Sequence, residues 1–144
     1  KSSDVLGYLY GFDFRELNNF TNVNITDIKA TVEGYLTDTS SSYRKCNLQP
    51  CTEFKVDNTD TLASKYTSLT DKKNLTYKDN LTTSKARVTK SVKEGENGAN
   101  VVTWANSNLD KLIGGYDSNS FGIRINTCYM ALYSVELTVE FTFG

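Results

Sequence analysis

Histidine is missing from all 144 residues, and that absence removes much of catalytic chemistry. A Ser-His-Asp triad, a Cys-His pair and every His-ligated metal need the imidazole. No apolar run approaches the ~20 residues of a membrane-spanning helix, so insertion into a membrane is not expected. No phosphate-cradling loop occurs: Gly95 and Gly98 lack the Lys-Ser/Thr that follows one. No internal repeat or low-complexity tract stands out. A signal-peptide pattern and an initiator Met are also missing, as expected of a processed product or an excised domain.

Cysteine is scarce, with only Cys46, Cys51 and Cys128. Three cysteines without histidine make a poor zinc site, and an odd count makes a weak disulfide framework. Cys46 and Cys51 flank a four-residue gap containing the single proline, Pro50. A loop disulfide between them and two free thiols are equally good expectations. Cys128 reads as a small core residue.

Neither sign of charge dominates: 16 basic and 17 acidic residues leave a net charge of -1. No specific nucleic-acid binding is expected, since no known module for it occurs. The distribution is uneven, however. Residues 65–93 hold eight basic and two acidic side chains, a net +6, and the rest holds eight and fifteen, a net -7. Such a dipolar chain suits contact between copies or with an acidic polymer. A solvated edge guarded by lysines explains the run equally well.

What the chain has is alternation. Tyr133, Val135, Leu137, Val139, Phe141 and Phe143 share one side of an extended chain, opposite Ser134, Glu136, Thr138, Glu140 and Thr142. A strand of that length, roughly 40 Å at about 3.3 Å per residue, must lie against a second layer. It is expected to be a central strand with Tyr133 to Phe143 dry. Leu6 to Phe14 and Ile28 to Leu36 alternate likewise, and Ala86 to Val92, Val101 to Trp104 and Phe121 to Ile125 read as further strands. A short strand is expected at about 52–57. Residues 106–113 read as a helical turn, and Leu62, Tyr66 and Leu69 have the spacing of another. The expectation is an all-β chain: one domain over 1–144, a two-layer antiparallel β-sandwich with one or two short helical turns.

Four segments carry a resemblance. They are Leu9-Tyr-Gly-Phe-Asp-Phe14, Ile25-Thr-Asp-Ile-Lys-Ala-Thr-Val-Glu-Gly34, Ser120-Phe-Gly-Ile-Arg-Ile125 and Ala131-Leu-Tyr-Ser-Val-Glu-Leu-Thr-Val139. In this order they resemble a jelly-roll module of bacteriophage tail-fibre, baseplate and other virion appendage proteins. The resemblance covers about half of the chain. It implies a jelly-roll-like sandwich with a long variable insertion at about 38–105. The chain departs from the pattern in lacking a proline after the first strand.

Candidate sites are few. Glu136 and Glu140 share a strand face but lie roughly 13 Å apart at about 3.3 Å per residue. Paired glycosidase carboxylates stand about 5–9.5 Å apart. Glu33 can approach Glu136 across strands, although a solvated face explains both. Asp57 to Asp60 and Asp117 to Asn119 are oxygen-rich loops without EF-hand spacing. Jelly rolls often hold a structural Ca²⁺, whereas polar turn chemistry also accounts for these loops. A sugar site needs exposed aromatics beside hydroxyl-reading side chains. Trp104, Tyr116, Asp117 and Asn119 are the candidates, against a core role for Trp104. Asn19, Asn24, Asn74 and Asn80 each open an Asn-x-Ser/Thr triplet, which so Asn- and Thr-rich a chain produces by chance.

The function expected is non-enzymatic: a virion structural module of a phage tail, fibre, baseplate or head decoration. It would serve assembly and host attachment, with other virion subunits in a homo-oligomer and host-surface glycan as partners, and be located in the virion. The alternative is a secreted, extracellular adhesin, filament subunit or carbohydrate-binding module.

Overall fold

The computed structural model describes residues 6–37, 45–52, 67–68, 73–76, 84–92, 100–113, 121–128 and 130–144. The eight strands among them are β1 (Leu6–Phe12), β2 (Asn24–Leu36), β3 (Lys45–Thr52), β4 (Thr67–Ser68), β5 (Lys73–Thr76), β6 (Ala86–Ser91), β7 (Phe121–Cys128) and β8 (Met130–Thr142). Two short helices, α1 (Asn100–Ser107) and α2 (Leu109–Ile113), and a 3₁₀ turn at Arg15–Asn19 complete the set. The chain is the expected all-β, two-layer antiparallel sandwich. One sheet runs β1-β7-β3-β4 with β5 also on β3, and the other runs β6-β2-β8. β1, β3 and β7 lie in the first sheet and β2, β6 and β8 in the second, so the chain repeatedly crosses between layers.

The alternation in β2 places Ile28, Ala30 and Val32 wholly inside, facing Leu48, Phe121, Ile123 and Ile125 from the other sheet. Each of the larger of these side chains contributes about 1.5–3 kcal/mol by leaving water, and the Ala30 methyl under about 1 kcal/mol. Ile25 and Ile28 are both buried although their odd spacing should separate them. A bulge resolves this: the ladder to β8 steps from Ile25↔Phe141 to Asp27↔Glu140, leaving Thr26 as the extra residue. Asn22, at φ 54°, turns the chain into β2; asparagine tolerates this left-handed region better than most residues.

β8 is not central. It is an edge, paired through β2 alone among the described residues. Its inner face is accordingly only half-covered at Val135, Leu137, Val139 and Phe141, and Phe143 at its end is 59% exposed. The central strand of this sheet is β2.

The structure departs from the periodicity reading in several places. Residues 101–104 are helical, because Val101 and Ala105 sit one turn apart and both face the core. Residues 45–52 form a strand that alternation does not reveal, since Leu48, Gln49, Cys51 and Thr52 are all buried. Pro50 is tolerated there for a specific reason. β5 pairs Lys45 to Leu48 and β4 pairs Cys51 and Thr52, leaving Gln49 and Pro50 outside both ladders on that side. A residue without an N–H belongs at such a gap. Asn74 to Thr76 lie in β5, and Thr67–Ser68 is strand inside the span with helical spacing from Leu62 to Leu69. The strand expected at 52–57 falls beyond Thr52 and outside the described residues.

Candidate functional site

Among the described residues, the outer face of the β6-β2-β8 sheet gathers a group of paired charged side chains. Strand alternation puts Lys29, Thr31, Glu33 and Tyr35 of β2 outward, opposite the buried Ile28, Ala30 and Val32. Lys85, at the start of β6, and Arg87 and Thr89 within it line up on one side, and Glu136 and Glu140 of β8 on the other. Lys29 Nζ lies 2.8 Å from Glu140 Oε2. Arg87 Nη2 donates to Glu136 Oε2 at 2.6 Å, and its Nη1 is 3.6 Å from Glu33 Oε2. Lys85 Nζ is 3.6 Å from Glu33 Oε1. Thr31 and Thr89 hydroxyls bond at 2.8 Å. Exposed ion pairs are worth roughly 0–1 kcal/mol each, so this lattice orients side chains more than it stabilises the fold. Glu33 and Glu136 do approach across strands, but Arg87 lies between them and pairs with both. This is the charge-paired strand face, not a carboxylate couple.

A second bulge completes the face. The ladder steps from Glu33↔Ser134 to Gly34↔Leu132, so Tyr133 is the extra residue on β8. Strict alternation would bury Tyr133 beside Val135. The bulge re-aims it, and its ring lies 5.9 Å from that of Tyr35, tilted by 37°. Lys85 Nζ sits 4.5 Å above the Tyr133 centroid, a cation–π distance. Sequence reasoning assigned Tyr133 to the dry face, and only a register shift invisible to alternation reverses it.

The second feature is an open groove between the layers, of about 420 Å³. Leu137, Val139 and Phe141 of β8 form one wall, and Phe12, Phe14 and Leu17 another. Asp13 and Glu16 supply its polar lining. Arg15 bonds the Asp13 carboxylate at 3.0 Å and holds it below the usual carboxylate range. Beyond Phe141, Phe20 meets it edge-on at 5.0 Å and Phe143 lies tilted at 6.0 Å, and the two extend the apolar strip.

The residues proposed from sequence fare differently. Trp104 stands on α1, half-buried against the core, its ring 6.4 Å from Phe121. Tyr116, Asp117 and Asn119 lie outside the described residues, as do Asp57 to Asp60. Among the described residues no cluster of three or more acidic or cysteine side chains could hold a metal. No helix among them is long and apolar enough to cross a membrane.

The Cys46–Cys51 bridge is corrected. Both residues lie on β3, and the Cys51 thiol is free and buried. Five residues of extended strand span roughly 16 Å at about 3.3 Å each, whereas bridged Cα atoms stand about 4.4–6.8 Å apart. Burial pushes the Cys51 thiol up to about 12, with the Arg124 backbone bond a smaller opposing effect. A thiol so held is a core side chain and not a nucleophile at neutral pH.

Comparison of the chain with family models, with curated proteins and with solved structures found no match.

Proposed function

We propose that this chain is a non-enzymatic virion appendage module that serves subunit assembly and attachment to a host surface. The observation that carries this reading is the unfinished side of the sandwich along β8. A thirteen-residue edge strand with half-bare Leu137, Val139 and Phe141 borders an apolar groove. Edge strands offer unpaired peptide groups to another chain, and a bare apolar strip beside one is a contact surface in waiting. The four segments that resemble phage jelly rolls fall on β1, β2, β7 and β8, and β1 and β8 flank this groove. That supports the virion setting. The charge-paired carboxylates of the outer face and the buried, protonated Cys51 thiol support a binding role over catalysis.

Mass spectrometry of purified particles tests the reading. The chain is expected at a fixed stoichiometry with other virion proteins, and its absence from every particle would overturn the virion setting. A secreted adhesin or filament subunit would use the same edge. Recovery of the chain in extracellular filaments, with secretion genes beside its own, would move the reading there.

A further inference from the structure

We infer that the bulged end of the outer sheet face, centred on Tyr133 and Tyr35, is a binding site for a neutral glycan. The inference rests on the attachment half of the proposed function and names its ligand class and its residues.

The first argument is the bulge itself. An extra residue in β8 interrupts the ladder at Tyr133 and nowhere else between Asp27 and Leu36. Its effect is to move a large aromatic side chain from the half-covered inner face to the outer one, where it is 55% exposed. Burial would have favoured the opposite arrangement, so core packing does not account for this placement. Aromatic rings with one wet side are the groups that accept the C–H face of a pyranose, being apolar in body and polar at the tip. Tyr35, 5.9 Å away, widens the platform to a second ring.

The second argument is the polar surround. Sugar hydroxyls both donate and accept, and the site offers both kinds of partner at fixed positions. Glu33 is an acceptor, held between Lys85 and Arg87 at 3.6 Å from each. Lys85 and Arg87 are donors, and both remain more than half exposed. Lys85, 4.5 Å over the Tyr133 ring, occupies the place that a sugar would take. A flexible ammonium stem swings aside at little cost and then donates to a hydroxyl.

The third argument is charge. Lys85 and Arg87 are balanced by Glu33 and Glu136 across the same few ångströms. A uronic or sialic acid would place its carboxylate beside two resident carboxylates and gain little net attraction. A neutral hexose or N-acetylhexosamine oligomer meets no such opposition.

Titration of the full chain with maltotriose, galactobiose, chitotriose and trigalacturonate tests this, read by saturation-transfer NMR and calorimetry. At least one neutral oligosaccharide is expected to bind, with saturation passing from the tyrosine rings. Tyr133→Ala should weaken that binding at least about tenfold, Tyr133→Phe should keep most of it, and Glu33→Gln should weaken it severalfold. Unchanged far-UV circular dichroism in each variant separates these losses from unfolding. Binding of trigalacturonate alone, binding indifferent to Tyr133→Ala, or no binding across the panel would each overturn the inference. None of these outcomes depends on whether the chain is found in particles, so this site and the assembly reading fail separately.

Discussion

Asn106 shows how one side chain can close a structural gap. β6 pairs with β2 only from Lys29 onward, and beyond its end the Asn106 amide fills in as a surrogate strand. Its Oδ1 accepts from the Ile25 N–H at 2.8 Å, and its Nδ2 donates to the Ile25 carbonyl at 3.0 Å. Ile25 is buried, so Asn106→Leu leaves both groups short of partners at about 1–3 kcal/mol. Urea unfolding should show the midpoint falling with the slope unchanged. Cys51 makes a pH-dependent contribution. Its folded thiol is raised to about 12, against about 8.5 in an unfolded chain. Below about pH 8.5 both states keep the proton and stability is unaffected. Above it the unfolded state loses the proton first, so stability falls as pH rises toward the folded value, by about 2 kcal/mol at pH 10. Cys51→Ala removes this dependence, and the gap between wild type and variant should narrow from pH 7.5 to pH 10 in denaturant titrations.

The elements differ in how they carry the core, and this governs what substitutions cost. Phe121 on β7 is wholly enclosed, with Phe14 edge-on at 5.8 Å and Trp104 at 6.4 Å. Phe121→Ala should cost about 3–5 kcal/mol. Val139→Ala on the edge strand should cost well under half of that, because its side chain is already half in water. Thermal unfolding of the pair checks that the core lies toward β2 and β7. The same contrast explains what the sequence could reveal. β2 and β8 were legible because each has one apolar and one polar face. β8 was misplaced as central because alternation reports a strand's faces and says nothing of its edges. β3 was illegible because Leu48 to Thr52 are buried on both faces with Gln49, Pro50 and Thr52 among them, a pattern with no period. The helix at Val101–Trp104 was misread because a four-residue apolar run has no period of its own. The outward turn of Tyr133 was hidden for a related reason. A bulge is a property of two strands in register, and neither strand contains it alone.

At the scale of the whole molecule, the described residues leave the sandwich unfinished along β8. Gly144 is tied back to Thr21 by its backbone N–H at 3.0 Å, and the Asn22 amide donates to its carbonyl, so the end of β8 is anchored to the loop before β2. The edge is therefore held in place as well as bare. A rigid edge loses less entropy on docking than a mobile one, which favours its use in assembly. If Leu137, Val139 and Phe141 form the contact, a charge placed among them should abolish association while sparing the fold, since these positions are half solvated already. Sedimentation velocity on the purified chain from 5 to about 200 µM should show concentration-dependent association through this face. Val139→Lys should remain monomeric across that range with its melting temperature within a few degrees of wild type. Tyr133→Ala, on the opposite face of the same strand, should associate as wild type does. Association that survives Val139→Lys would place the subunit contact elsewhere on the molecule and leave the groove without its proposed role.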